Sequence, residues 1–238
     1  MRCRGALVLC GLCLVVLGVW LIPQVTTASA SFGSQTSSGG NQLLAGSWVK
    51  VFYLKANGNG NQPATIVLNL GTAEPTMTTL PNLSTNLDGD PGRLLDKGGG
   101  GPLPNNAVEK EQHWTMEAAS DLVIDGRVQL SLWAAIKDLE SNLKYGRIDA
   151  RLYDCAAPRS SCSELGRDDD RRNPWGTAPG FREACLDFGV VEHTIVAGRY
   201  LHLHVFVHDS SGDDMWLAYD TVDYPSQLII SDAISPHC

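Results

Sequence analysis

Several signatures of catalytic and intracellular chemistry are missing from this chain. It has no G-x-S-x-G nucleophile elbow, no H-E-x-x-H helix and no complete P-loop. Lys97 precedes the Gly98–Gly101 run, whereas a P-loop lysine follows its glycines. The many carboxylates are compatible with a two-acid glycosidase but single out no pair. Basic residues are scarce: 18 Lys and Arg stand against 26 Asp and Glu, a formal net charge of −8. That balance excludes the basic footprint that nucleic-acid binding requires, so no nucleic-acid partner is expected. Helical periodicity is nearly absent, Trp133–Leu143 being the one stretch that would extend as a helix, and no βαβ unit can be traced.

The N-terminus supplies the first positive signal. Arg2 and Arg4 precede an apolar run from Ala6 to Ile22, which Pro23 ends and the small residues Ala28-Ser29-Ala30 follow. Residues 1–30 therefore read as a secretory signal peptide. The alternative is a retained membrane-anchor helix, although the run falls slightly short of the roughly 20 apolar residues of a spanning helix. No basic residue follows until Lys50, which disfavours a cytoplasmic location for what comes next. Cys10 and Cys13 form a C-x-x-C inside the apolar run, where no activated thiolate is expected, and the leucine before each does not fit a lipoprotein signal. Residues 31–47 are rich in Ser, Gly, Thr and Asn and read as a flexible linker. A folded domain is expected over 48–232, with 233–238 as a tail. The prediction is a secreted chain, or one held in a membrane by its N-terminal helix with the domain outside.

An oxidising compartment makes disulfides the default for Cys155, Cys162, Cys185 and Cys238. Of the three possible pairings, two bonds are preferred. Cys155–Cys185 would close a loop of about 30 residues, worth roughly 3–4 kcal/mol in the loop-entropy account. Cys155–Cys162 would span the short Ala156–Ser161 turn. A zinc site lacks its paired C-x-x-C arms.

The remainder reads as a row of strands. Candidates are Trp48–Leu54, Ala64–Leu70, Thr76–Leu80, His113–Ala118, Leu122–Ile124, Arg127–Ile136, Arg147–Tyr153, Leu186–Val196, Tyr200–His208, Met215–Tyr219 and Gln227–Ile230. Two irregular stretches interrupt them, a Gly/Pro/Asn-rich excursion over Pro81–Asn106 and a charged one over Cys155–Ala184. Val128, Leu130, Leu132, Ala134 and Ile136 alternate with Arg127, Gln129, Ser131 and Trp133. Leu201, Leu203, Val205 and Val207 alternate in the same way with His202, His204, Phe206 and His208. Period-two patterning of this kind marks half-buried antiparallel strands. Asp125-Gly126 reads as a hairpin turn, and Ala197-Gly198 as another before Tyr200. The expected fold is an all-β antiparallel sandwich with jelly-roll connections.

Three runs follow a recurring order: Arg127-Val-Gln-Leu-Ser-Leu-Trp133, Gly146-Arg-Ile-Asp-Ala-Arg-Leu-Tyr-Asp154 and Ala197-Gly-Arg-Tyr-Leu-His-Leu203. This order resembles the galactose-binding-like jelly-roll module at the C-terminus of X-prolyl dipeptidyl peptidases and cocaine-esterase-like hydrolases. Gly212–Asp220 and Tyr224-Pro-Ser226 resemble stand-alone secreted bacterial β-sandwich domains. The resemblance covers about Asp121 to Ile230. It implies a fold and an accessory or binding role; catalysis in those hydrolases belongs to a separate α/β domain, so no catalytic residue carries over.

Candidate sites are few. Asp209, Asp213 and Asp214 surround a Gly turn, and Asn86, Asp88 and Asp90 form an N-x-D-x-D run, so both loops offer oxygens to a calcium ion. The second departs from the EF-hand pattern at Pro91 and Lys97, and turn chemistry alone accounts for both compositions. His202 and His204 form an H-x-H pair able to give two transition-metal ligands, but His208 lies too far along the strand to be the third. Trp133 falls on a polar face, where an indole can stack on a sugar; with Arg147 and Arg151 it is the candidate ligand surface. A loop packed over Trp133 is the competing structural explanation. The expected function is an exported, non-catalytic module binding a glycan or other extracellular polymer, without cofactor unless calcium stiffens it. The alternatives are a structural or adhesive component of a surface assembly and, third, a hydrolase with an unrecognised site.

Overall fold

The computed structural model describes residues 41–44, 47–56, 67–84, 87, 89–103, 108–137 and 145–232, and of Asn41–Leu44 and Ser47 the backbone alone. The predicted leader, most of the linker and the tail lie outside those residues. Twelve strands follow one another without a helix among the described residues. They are β1 (Asn41–Leu44), β2 (Ser47–Leu54), β3 (Val67–Gly71), β4 (Gly92–Leu95), β5 (Glu111–Glu117) and β6 (Leu122–Ile136). Then come β7 (Gly146–Ala157), β8 (Ser160–Arg172), β9 (Arg182–Ile195), β10 (Tyr200–Val207), β11 (Met215–Ala218) and β12 (Gln227–Ser231). β1 falls within the stretch whose composition reads as linker.

Two layers make a β-sandwich. In the first, β6 is paired along one edge by β9, and along the other by β12 and then β11. β12 also pairs β2, and β11 pairs β4. The second layer runs β3-β5-β10-β7-β8. β3 joins the layers, antiparallel to β2 and parallel to β5. The alternation read from the sequence supplies the core between them: Val128, Leu130, Leu132 and Ile136 of β6 belong to one apolar cluster with Ile148 and Leu152 of β7 and Leu201, Leu203, Val205 and Val207 of β10. Burial of each large side chain contributes about 1.5–3 kcal/mol. Trp114, fully buried on β5, fills the same space.

Four expectations are corrected. Asp125-Gly126 is no hairpin turn: β6 passes straight through it, with Asp125 opposite Glu192 and Gly126 opposite Val191 on β9. A Cβ at Gly126 would lie 2.8 Å from the carbonyl carbon of Ser231 and closer still to its oxygen, so the glycine serves backbone approach. The stretch Cys155–Ala184 is not irregular either, because it contains the whole of β8. Its Asp and Arg residues have poor strand propensity, which hides the strand. They pair along the strand instead, Arg171 Nε with Asp169 at 2.5 Å and Arg172 with Asp170 at 2.6 Å. Charges at such an outer position discourage addition of a further strand. Within the Pro81–Asn106 excursion lies β4, whereas Thr76–Leu80 contributes only an isolated bridge between Met77 and Thr221.

Gly126→Ala is expected to destabilise the sandwich by about 1–3 kcal/mol through overpacking. A lower urea midpoint at an unchanged m value is the readout; a midpoint equal to that of the parent chain would contradict the need for a glycine at this backbone approach.

Candidate functional site: a buried Glu/His cluster beside a charged cleft

The outward faces of β5 and β10 should be solvated, since they carry Glu111, His113, His202 and His204. All four are fully buried. Strand pairing brings them together, because His204 stands opposite His113 and His202 opposite Thr115. The cover includes a glycine strap, whose Gly98 and Gly99 amides donate to the Val207 carbonyl at 3.0 and 3.1 Å. A Cβ at Gly99 would meet Lys110 O at 2.5 Å and Phe206 Cβ at 2.8 Å. One at Gly100 would lie 2.6 Å from Phe206 Cζ and closer still to Cε2, and Gly100 has φ +95°, so side chains are excluded twice over. The glycine run beside Lys97 is thus a lid on an aromatic ring.

Hydrogen bonds order the cluster. Glu111 Oε1 accepts from the amides of Gly100 (2.8 Å) and Gly101 (3.2 Å). Its Oε2 lies 3.1 Å from His204 Nε2 and 3.5 Å from His113 Nε2. The two rings stack at 4.3 Å with an interplanar angle of 18°. His113 Nδ1 is 2.8 Å from His202 Nε2, and the Arg159 amide donates to His202 Nδ1 at 3.3 Å. A backbone amide always donates, so in the neutral ring His202 carries its proton on Nε2 and gives it to His113 Nδ1. His113 then carries its own proton on Nε2, facing Glu111. Desolvation holds His113 down to about 4 and His202 down to about 2, and it lowers His204 as well. Burial pushes Glu111 up, but His113, His204 and the Gly100 amide outweigh it and hold the carboxyl well below its ordinary range. At neutral pH the cluster is three neutral imidazoles and one carboxylate.

Beside the cluster is an open cleft of about 420 Å³, walled by Gly99, Gly100, Phe206 and His208 and floored by β7 and β8. Arg147, Asp149 and Arg151 line it from β7, and Arg167, Asp168 and Asp169 from β8. Register sets like charges opposite one another: Arg147 faces Arg171, Asp149 faces Asp169, and Arg151 faces Arg167. Neighbours along and across the strands compensate in part, with Arg147 2.9 Å from Asp149 and 3.5 Å from Asp169. Burial raises the Asp149 carboxyl while Arg147 draws it down, and its buried Oδ2 has no hydrogen-bond donor among the described residues. The Arg151 guanidinium lies 5.1 Å over the Phe206 ring.

The structure separates the residues singled out from the sequence. Arg147 and Arg151 line the cleft, whereas Trp133 is on β6 in the other sheet. Trp133 is half-buried against Tyr224 (5.3 Å between rings) in a small apolar cluster with Phe181 and Trp216. Asp209 lies 2.6 Å from His208. Asp214 pairs with Lys137 at 3.0 Å and accepts the Lys97 amide, and Asp213 accepts the Asp214 amide. Asp90 accepts the Leu87 amide, and Asp88 lies outside the described residues. Cys155 is bonded to Cys162 across β7 and β8, which excludes Cys155–Cys185. Cys185 is also disulfide-bonded, while Cys238 lies outside the described residues. Among the described residues, two groups bring three ligand types within 4.8 Å: Glu111, His113 and His204, and Cys155, Cys162 and His202. The sulfurs of the second are tied up in the disulfide. His202 and His204 were legible as an H-x-H pair; the missing partners, Glu111 and His113, form an E-x-H pair on a strand 89 residues from His202.

No family model matches the sequence, and a comparison with curated proteins finds no match. Solved structures do share the fold. A CocE/NonD family hydrolase from Staphylococcus aureus superposes with a TM-score of 0.54 at 12% identity, over 81% of this chain and 36% of its own. An aminopeptidase from the marine sediment archaeon Thaumarchaeota archaeon gives 0.53 at 11% identity, over 76% and 36%. This chain therefore spans little more than a third of those proteins. The likeness fits the C-terminal domain of such hydrolases at the level of fold.

The buried histidines make stability depend on pH. Their folded pKa values lie below the unfolded value of 6.5, so between pH 6.5 and about 4 the unfolded chain binds protons that the folded chain refuses. Stability is expected to fall with pH across that window, by up to about 1.4 kcal/mol per pH unit for each of His113 and His202. Glu111, depressed in the folded state, adds a loss below its unfolded value of 4.5. Thermal unfolding from pH 8 to 4.5 checks this; a Tm that stays level below pH 6.5 contradicts it.

Proposed function

We propose that the chain is an exported, non-catalytic binding module of the jelly-roll, galactose-binding-like type, taking a glycan or another extracellular polymer in the cleft over β7 and β8. The observation that carries this reading is the like-charge register of the cleft floor. Like charges directly opposite on paired strands destabilise a sheet. A face arranged against its own stability is best accounted for by what it binds. Its lining is charge-balanced, three Arg against three Asp, which suits a neutral polyhydroxylated chain better than a polyion. Hydroxyls both donate and accept, so they can answer carboxylates and guanidiniums in turn. The free Oδ2 of Asp149 offers an acceptor already buried.

Non-catalytic action is supported by the absence of known motifs and by the resemblance, which carries over no catalytic residue. Export rests on the leader-like residues 1–30.

A glycan array probed with the folded chain tests the reading. Arg151→Ala and Asp149→Asn are each expected to weaken binding about tenfold or more, since hydrogen bonds to charged groups contribute roughly 1.5–3 kcal/mol. Trp133→Ala is expected to leave binding intact. Loss on Trp133→Ala alone moves the ligand to the opposite sheet, and silence across the array favours a structural or adhesive role.

A further inference from the structure

We propose that Glu111, His113 and His204 form a binding site for a divalent transition metal of the zinc type, oriented by His202. The donor geometry comes first. A tetrahedral ion with bonds of 2.0–2.1 Å holds its ligand atoms about 3.4 Å apart. Glu111 Oε2 lies 3.1 Å from His204 Nε2 and 3.5 Å from His113 Nε2. One ligand atom from each of Glu111, His113 and His204 lies within 4.8 Å of the others, and tilting the stacked rings out of their parallel arrangement would turn both lone pairs toward an ion beside Oε2.

Unused polarity is the second, independent observation. His113 and His204 are both fully buried, yet His113 Nε2 and both nitrogens of His204 have no hydrogen-bond partner among the described residues. They approach Oε2 without hydrogen-bond alignment. Buried polar groups nearly always find partners, and a metal would engage the Nε2 of each ring.

The surroundings match what a metal site needs. Two backbone amides hold Glu111 Oε1, and Oε2 is the oxygen that faces both rings. A metal-bound imidazole is ordinarily fixed through its other nitrogen, and His113 Nδ1 already meets His202 at 2.8 Å. Loading requires no net proton loss. The His113 proton moves from Nε2 to Nδ1 and is donated to His202 Nε2. The His202 proton moves to Nδ1, where Cys155 Sγ lies at 3.4 Å, and the bond from the Arg159 amide is given up. Two imidazoles and one carboxylate select zinc, cobalt, nickel or copper over calcium, which takes oxygens. The strap Gly98–Gly101 covers the cluster, so the ion enters during folding or when the strap lifts.

The test uses the untagged full chain, stripped with chelator and refolded from urea with Co²⁺. One equivalent is expected to bind, with visible absorption of a four-coordinate ion, displaced by Zn²⁺. Paramagnetic shifts should fall on the His113 and His204 imidazole signals. Glu111→Gln should weaken binding at least tenfold, and His193→Ala, at the Asp154 pair, should not. Failure to bind one equivalent at micromolar Co²⁺ overturns the site, as do shifts centred on other histidines. Should Glu111→Gln fail to fold, the shifts in the parent chain decide alone. Metal binding without glycan binding, or the reverse, distinguishes this site from the cleft.

Discussion

The arrangement of β5 and β10 depends on one constraint, burial on both faces. Apart from Gln112, which meets Arg93, their inner faces are apolar and belong to the sandwich core, but the outer faces hold a carboxylate and three imidazoles away from water. A buried charge is tolerable only when it is hydrogen-bonded. Here the partners are main-chain amides, two from the strap for Glu111 and one from Arg159 for His202. Phe206 lies directly below the strap, so only residues without side chains can bring those amides close enough. The glycine run, the neutral histidines and their tautomers all follow from that seal.

The same seal joins two chemically different environments. On one side neutral rings contact one another in a line that ends near the Cys155–Cys162 disulfide. On the other, fixed charges face solvent in a cleft. Three residues belong to the boundary: Gly100, Phe206, which is 5.0 Å from the His204 ring, and Arg151, which lies over Phe206.

The strands were legible where one face is apolar. β6, β7 and β10 alternate cleanly, and their inward residues are the ones that pack together. β8 escaped notice because its pattern is polar on both faces and its stability comes from pairing with β7. Gly126 misled because a glycine beside an aspartate looks the same whether it turns the chain or admits a neighbouring backbone. The histidine pair on β10 could be read, but its completion on β5 could not. Which strands adjoin is decided by non-local pairing, to which local periodicity is blind. The resemblance is supported at the level of fold, and sites do not follow from folds.

The position of β12 has a bearing on how the molecule is made. It lies between β2 and β6, with Leu228 opposite both Phe52 and Leu130, and its inward residues are part of the core. A chain emerging from its N-terminus thus leaves a slot in the first sheet until residues 227–231 arrive. Before that, β2 and the middle of β6 present unpaired edges, which are templates for association with other chains. Closure is a late, long-range event, slow by the entropy of the loop it completes. Vectorial synthesis thus delivers this sandwich as an open clasp, and β12 is the pin.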